Sequence, residues 1–502
     1  MASAFSKFNG VLPPGPVAVP IIGSFVWITS SVVNLEPVLR QLWRKYGPIM
    51  TIRLGSRTVI FICSNTLTHE VLVGKGAVFA DRPPVTAATR VHTANQHTIT
   101  SGRYGPVWRV LRRNLMTEIL HPAQVKSYHQ DRVWVLNLLI QQLESLTRAN
   151  GSVQVMEPFR FSMFCLLLFM CSGERLDEKV VREVEKAQRA YIKAFVNLNI
   201  FVIFPRIGKW VFPKMWKDLV EIRRRQVEVL LPLIKAREAK HEKRLQINEG
   251  GKSFKDAYID SLLVLEIPDD GGRKLTYDEM VSLCSEFLNA GSDSTATALE
   301  WIMANIVKYP EIQEKLVKEI EEVVGERHAH GGEENPRNFI EEEDLKKMPY
   351  LKAVVMESLR LHPPLSYVLP HAVMEEVEIN GYVIPKEATV NFSVASVARD
   401  EKIWKDPLEF KPERFMEKEA VDITGTREIK MMPFGVGRRI CPGLGVAMLH
   451  LEWFVANLVR EFEWKTKKGE EVDLTERIEF TTIMENPVNV VLHRRSQRVQ
   501  NT

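Results

Sequence analysis

Cys441 stands in the stretch Phe434-Gly435-Val436-Gly437-Arg438-Arg439-Ile440-Cys441-Pro442-Gly443, one thiol in a loop of glycines and arginines. A cysteine that ligates a metal does so as thiolate, and coordination pulls its pKa far below the free value of about 8.5. Gly437 and Gly443 let backbone pass close to a flat partner where a Cβ would clash. Backbone N–H groups in such a loop can point at the sulfur and moderate its charge. Arg439 offers a planar fork of donors that suits a carboxylate. Phe434 covers the sulfur side and excludes water. A lone cysteine here would read as an ordinary buried thiol in a glycine turn; the whole pattern reads as a ligand loop.

The elements that must hold this loop are mostly helical. Thr276 and Glu279 form a capping box, and helical periodicity runs on to Tyr309, where Pro310 stops it. That is about 34 residues, or roughly 50 Å at 1.5 Å per residue, enough to cross a whole molecule. Gly291 sits mid-helix at a cost of about 1 kcal/mol relative to alanine, so something must approach the backbone there. Glu357 and Arg360 share one helix face at i, i+3, on a helix ending at His362-Pro363-Pro364. Pro37 to Tyr46 reads as a short amphipathic helix. Two hairpins are expected, Met50–Leu54 with Thr58–Ile62, and Val377–Ile379 with Tyr382–Ile384 around Asn380-Gly381. Glu221 to Arg244 reads as a solvated, basic helix. Gly250-Gly251, Gly271-Gly272 and Gly331-Gly332 mark exposed loops.

Composition is even across 502 residues, 45% hydrophobic and 26% charged, which argues for one large domain at residues 36–502 behind a segment 1–35. A formal charge of +4 is too mild for nucleic acid. Five cysteines (Cys63, Cys165, Cys171, Cys284, Cys441) have no zinc-like spacing, and the odd count argues against a disulfide framework, so a reducing compartment fits. Met1 to Leu12 is too short to span a membrane, and prolines break the apolar run after it. Phe195 to Trp216, aromatic with Lys209, Lys214 and Lys217 nearby, reads either as an interfacial membrane segment or as a roof over a cavity.

The loop fits F-x-x-G-x-R-x-C-x-G, a coincidence with odds of roughly 10⁻⁴ at average residue frequencies. In this the chain resembles the cytochrome P-450 superfamily, the haem-thiolate monooxygenases. Glu357-Ser358-Leu359-Arg360 resembles the E-x-x-R of that family, Pro412-Glu413-Arg414-Phe415 its P-E-R-F loop, and Ala290-Gly291-Ser292-Asp293-Ser294-Thr295 its oxygen-binding segment. Pro13-Pro14-Gly15-Pro16 resembles the hinge of microsomal members. Phe79-Ala80-Asp81-Arg82-Pro83, Ile119-Leu120-His121-Pro122 and Met431-Met432-Pro433-Phe434-Gly435 resemble the plant microsomal A-type branch, nearest its eighty-ninth family.

The resemblance implies a mainly α fold with small β-sheets (α+β), with haem b between the long helix and the cysteine loop. Cys441 becomes the iron ligand. Ala290 and Gly291 form the oxygen groove, and Asp293, Ser294 and Thr295 the acid–alcohol relay, which in the alternative merely bend a packed helix. The family usually has threonine where Ser294 stands; serine loses the methyl that restricts the rotamer, so a working but leakier relay is expected. Trp108, Arg112 and Arg439 meet the haem propionates, as does His371 unless it is an ordinary strand-end histidine. Glu357, Arg360 and Arg414 form a structural ionic lock. Thr98 to Ser101, Phe287, Leu288, Leu365 to Val368 and Thr481 to Ile483 are expected around an apolar distal pocket without convergent charge, suited to a lipophilic small molecule. Arg112, Arg113, Lys411 and Arg438 are expected on a basic face that meets an NADPH–cytochrome P-450 reductase, with cytochrome b5 as a second donor. Location at the cytosolic face of the endoplasmic reticulum membrane follows from the same resemblance. A reductase-independent isomerase or dehydratase and a non-enzymatic haem-binding protein are the competing readings.

Overall fold

The computed structural model describes residues 11–16, 35–54, 57–197, 201, 208–247, 257–268, 271–329, 339–417 and 420–495. Most of the segment 1–35, the turn at Gly55-Ser56, the glycine pairs at 250–251 and 331–332, and much of 198–207 lie outside them. The fold is mainly helical with small sheets. Its frame runs α1 (Leu35–Tyr46), α2 (Pro106–Asn114), α3 (His129–Asn150), α4 (Met156–Ser172), α5 (Glu178–Asn197), α6 (Pro213–Ile247), α7 (Tyr277–Lys308), α8 (Pro310–Ala329), α9 (Pro349–Leu361) and α10 (Leu444–Glu461).

α7 is the central element. The Thr276 side chain accepts from Glu279 N–H, and the Glu279 carboxylate accepts the Thr276 N–H, so the capping box is formed. Leu283, Leu299, Trp301, Ile302, Met303 and Ile306 of α7 are fully buried. α7 packs against α4, α6, α9 and α10. α4 explains its own position: 15 of its 17 residues are buried, and a helix apolar on every side belongs in an interior. Its two exceptions are Glu157 and Arg160. α6 is longer than the Glu221–Arg244 expectation and is not simply a solvated surface helix: Arg223, Gln226, Leu230, Ile234 and Arg237 are buried.

Both expected hairpins form. β1 (Ile49–Leu54) and β2 (Arg57–Ile62) pair antiparallel. β5 (Val377–Ile379) and β6 (Tyr382–Ile384) pair around Asn380 and Gly381, whose φ values of 51° and 77° are what a two-residue hairpin turn needs. β2 continues through parallel β7 (Thr389–Phe392) to β4 (His371–Ala372), giving sheet order β1-β2-β7-β4. A second sheet joins β3 (Val153–Gln154), β8 (Phe462–Thr466) and β11 (Asn489–Arg494); a hairpin of β9 (Glu476–Ile478) and β10 (Thr482–Met484) carries Thr481 to α7. An apolar cluster of Ile60, Ile62, Val390 and Phe392 from the first sheet also takes in Met432 and Val436. The cysteine loop is thus anchored to a sheet at one end and runs into α10 at the other.

Candidate active site

The loop's geometry follows from its glycines. Gly435 and Gly437 hold φ of 66° and 71°, a region that favours glycine. A Cβ at Gly437 would strike the backbone carbonyl of Leu72, so this glycine is required twice over. Gly443 has an ordinary φ of −85°. Cys441 N–H donates to Phe434 C=O at 2.8 Å and closes the loop. Burial raises the pKa of the Cys441 thiol, opposed by the Gly443 N–H and by Arg112. Those two are the protein's own means of favouring thiolate.

A rim of cations lies beside the loop. Arg439 donates to the carbonyls of Ala80 (2.7 Å), Ile99 (3.2 Å) and Gly102 (2.7 Å), with its guanidinium 4.1 Å from the centre of the Trp108 ring. Trp108 Nε1 donates to Ile99 C=O at 2.9 Å, and Arg112 to Ile440 C=O at 2.6 Å. His371 is buried; its Nδ1 lies 2.7 Å from Phe79 C=O. Burial, then the positive charge of Arg82, brings the His371 pKa down to about 3, which makes it a neutral partner. Arg82 itself was not anticipated. It donates to Thr100, Leu369 and Pro370 carbonyls at 2.7–2.9 Å, and burial, with Arg439 repelling it, brings its pKa to about 9. Its signal lay in the quoted stretch Phe79–Pro83, where a buried charge next to proline had no assigned task.

The lock is assembled. Glu357 and Arg360 are both fully buried, joined at 2.7 and 2.8 Å. Arg414 Nε reaches Glu357 at 3.2 Å, and Lys411 N–H donates to the same carboxylate at 2.8 Å. Arg360 also donates to Pro407 C=O at 2.7 Å and lies 5.2 Å from the Trp404 ring centre. The Lys411 side chain, expected as a free cation for a partner, is paired with Asp406 (3.0 Å) and Glu409 (2.5 Å). Its charge is therefore spent locally. Arg113 and Arg438 are exposed, and Arg438 donates to the Tyr104 hydroxyl at 2.6 Å.

On α7 the expected residues part company. Ala290 is exposed, and Ser294, one turn on, donates to the Ala290 carbonyl at 2.7 Å. Asp293, the adjacent residue and so roughly 100° around the helix, points elsewhere. It accepts from Arg160 Nε and from the Thr481 hydroxyl, each at 3.0 Å, and Thr481 lies 3.1 Å from Thr297. Thr295 is buried, and α7 is not interrupted at these residues. A Cβ at Gly291 would lie 2.6 Å from Leu167 Cδ1 of α4, so the glycine also eases helix packing. Leu288 is fully buried in the main core, and Phe287 packs on Tyr258 with ring centres 5.1 Å apart.

Nor is the region free of charge. Glu286 accepts from Ile99 N–H (2.8 Å), Thr100 N–H (2.6 Å) and the Thr100 hydroxyl. The Ile99–Thr100 peptide is thereby tied on one side to α7 and on the other to Arg82, Arg439 and Trp108. Burial raises the Glu286 pKa, against the pull of these donors. Sequence reasoning missed it because one glutamate on a helix ordinarily reads as a solvated face.

Glu300 of α7 is also singular. It is fully buried, and neither carboxyl oxygen has a hydrogen-bond partner among the described residues. Burial pushes its pKa to about 7; Arg160 and the Val488 amide oppose this, the amide without reaching hydrogen-bond geometry. A folded-state pKa above the unfolded value means stability is lost as pH rises from about 4.5 to 7. Glu300→Gln removes that loss. The expected gain over wild type is negligible near pH 4.5 and up to about 3 kcal/mol at pH 8, from 1.36 kcal/mol per pKa unit. Thermal unfolding of both proteins at the two pH values tests this, and an equal gain at both would refute it.

A thiol loop joined to a sheet, a rim of cations and a long central helix make a haem-thiolate architecture. The family model described as Cytochrome P450 matches residues 13–492. The chain is 45% identical over 495 residues to Cytochrome P450 89A9 of Arabidopsis thaliana, covering 96% of this chain and 94% of that protein. It is 28% identical over 492 residues to geraniol 8-hydroxylase of Swertia mussotii, covering 97% and 94%. A zebra fish cytochrome P450 structure with abiraterone superposes with a TM-score of 0.74 at 22% identity, covering 92% of this chain and 100% of that one, which is a likeness of fold. The chain belongs to the cytochrome P450 family, and it is an oxidoreductase of the monooxygenase type that uses haem. The residues fit that cofactor. Arg82, Arg112 and Arg439 crowd one rim, Asp81 there is already paired with Arg103, and the positive excess suits carboxylates such as the haem propionates.

Proposed function

We propose that this monooxygenase inserts one atom of dioxygen into a lipophilic small molecule, a plant secondary metabolite or fatty-acid-like compound, with electrons from NADPH through a reductase. The observation that carries the reading is Asp293, an acid held in the interior by Arg160 and the Thr481 hydroxyl, one residue ahead of Ser294 along α7. Bound haem supplies an iron whose thiolate ligand favours O–O cleavage. Cys441 would provide that thiolate, Arg112 and Arg439 would orient the propionates, and Trp108, its N–H bonded to Ile99 C=O, supports Arg439 through its ring face. Asp293 and Ser294 bring protons inward, Asp293 as the acid and Ser294 as the hydroxyl that orients them. An isomerase has no use for an interior acid of this kind.

The geraniol 8-hydroxylase among the relatives supports a plant secondary metabolite as substrate, and a single catalytic domain over residues 36–502 is supported by the length of the family match. Arg113 and Arg438, exposed near Arg109, offer a basic face to an acidic reductase or cytochrome b5, which steers their encounter. No helix among the described residues is long and apolar enough to cross a membrane. Trp210, 75% exposed, and Val211, with Lys209, Lys214 and Lys217 exposed around them, suit contact with the cytosolic face of the endoplasmic reticulum membrane.

The test is reconstitution with reductase, NADPH and a panel of lipophilic substrates. NADPH consumption that depends on both reductase and substrate is expected; turnover of organic peroxides without reductase would favour the isomerase. In the same assay Ser294→Thr, which restores a restricted rotamer, should raise product formed per NADPH by about twofold and lower peroxide release. Unchanged coupling would remove the leaky-relay reading.

A further inference from the structure

Of the two charged residues that α4 keeps in its apolar length, Arg160 meets the acid of α7. Arg160 donates inward to Asp293 at 3.0 Å and outward to Glu157 at 3.2 Å, while Arg189 of α5 grips the same Glu157 at 2.7 and 3.0 Å. Beside this chain of ion pairs a crevice of about 20 Å³ lies between α4, α5 and α7, lined by Arg160, Phe164, Glu185, Gln188, Ser292 and Asp293. That is room for about one water, which needs roughly 10–15 Å³. It connects Asp293 with α5, a helix that also carries exposed Arg182, Glu183 and Lys186.

Glu185 is the acid in this crevice that the ion pairs leave over. Its side chain is partly buried and makes no hydrogen bond or ion pair among the described residues. The charged groups around it are Arg182 and Arg189 on its own helix, Glu157 and Arg160 on α4, and Asp293 on α7. Burial raises its pKa, Arg189 and Arg182 oppose, and Glu157 adds to the rise. Glu157, by contrast, is 60% exposed on its side chain and held ionised by two arginines, a poor proton donor.

We propose that Glu185 is the outer member of a proton relay that reaches Asp293 through this crevice. The idea rests on the role given to Asp293 above and adds the route by which that acid is resupplied. Solvent protonates the Glu185 carboxylate. The Glu185 O–H bond then breaks as an O–H bond forms on Asp293, across one crevice water, and Glu185 is reprotonated from solvent. Arg160 keeps its charge throughout and stabilises whichever carboxylate is ionised. An acid held above the usual carboxylate range retains its proton closer to neutral pH, where a relay operates. Glu185 acts through Asp293 and is a positioning and supply residue, not a catalytic one.

The experiment compares Glu185→Gln, Asp293→Asn and Glu183→Gln, the last an exposed neighbour as control. The haem-loaded proteins are reconstituted with reductase and NADPH, and NADPH oxidation is followed in H₂O and D₂O. Thermal unfolding of each chain is recorded between pH 4.5 and 8. Glu185→Gln should slow oxidation roughly tenfold, less than the 10²–10⁴ of a direct general acid, and should enlarge the solvent isotope effect. Glu183→Gln should match wild type. Independently of turnover, the Tm of Glu185→Gln should rise above wild type as pH climbs from 4.5, because the neutral amide escapes the cost of ionising in the crevice. Wild-type rate and isotope effect in Glu185→Gln, with Asp293→Asn slowed, would overturn the crevice route alone. Wild-type behaviour in Asp293→Asn as well would overturn the role of Asp293 and the relay with it.

Discussion

Cys441→Ser is expected to abolish the strongly red-shifted Soret band of the reduced, carbon monoxide-bound protein and to bring monooxygenation below detection. The physical reason is specific to the thiolate. A serine alcohol does not ionise at neutral pH in a loop that already raises the thiol pKa by burial, and the Gly443 N–H and Arg112 are too weak to reverse that. The loop itself should survive, since its shape depends on the positive φ of Gly435 and Gly437 and on the Cys441 N–H to Phe434 C=O bond, none of which involves the sulfur. The variant should therefore remain folded, with a band at the position seen for histidine-ligated or denatured haem. Cys171→Ser is the control. Cys165 and Cys171 of α4 and Cys284 of α7 are buried in the helical core and cannot substitute as ligands. A red-shifted band that persists in Cys441→Ser would exclude the ligand assignment. The absence of that band in the wild type would exclude a thiolate site altogether.

The parts that reasoning from spacing reached share one property: their chemistry is local, whereas the Arg414–Glu357 contact, 57 residues apart, came through the family resemblance. The capping box Thr276/Glu279, the turn at Asn380-Gly381 and the cysteine loop are each set by residues within a few positions of one another, so spacing alone carries them. The parts it missed are contacts between distant segments. Arg160 and Asp293 are 133 residues apart, and Glu286 meets Ile99 across 187. Arg160 had a readable signal, a lone arginine in a helix otherwise fit only for an interior, and a buried charge implies a partner. Glu286 had none, because a glutamate reads the same on a helix whether it faces water or two backbone amides. Gly291 shows a third kind of gap. The cost of a mid-helix glycine implied a close approach, and one neighbour that approaches is Leu167 of α4, which only packing reveals. Lys411 is the converse: a surface lysine reads as available until Asp406 and Glu409 are seen to neutralise it.

Glu357→Gln is expected to destabilise the protein by about 3–5 kcal/mol, the cost of stranding an uncompensated charge in a buried site. Arg360 is fully buried, and both of its bonds to Glu357 lose their charge in the variant. Its remaining acceptors are the carbonyls of Ala398, Pro407 and Glu409, which satisfy N–H groups but not a whole charge. The effect should spread toward the cysteine loop. Glu357 also holds Lys411 N–H and Arg414, and Trp404, stacked near Arg360, donates to Lys430 C=O at 3.1 Å, just ahead of Met432. Loosening this corner frees the strand of chain that leads into the ligand loop. Arg414→Lys should cost less, because Arg414 lies nearer the surface and its loss leaves the Glu357–Arg360 pair intact. Urea unfolding, with haem content per chain measured alongside, separates a lock from a catalytic residue. A lock lowers the unfolding midpoint and the fraction of loaded protein, while turnover per bound haem stays at the wild-type value. Undiminished stability with a lower turnover per haem would assign Glu357 to the chemistry and would remove the structural reading of the triad.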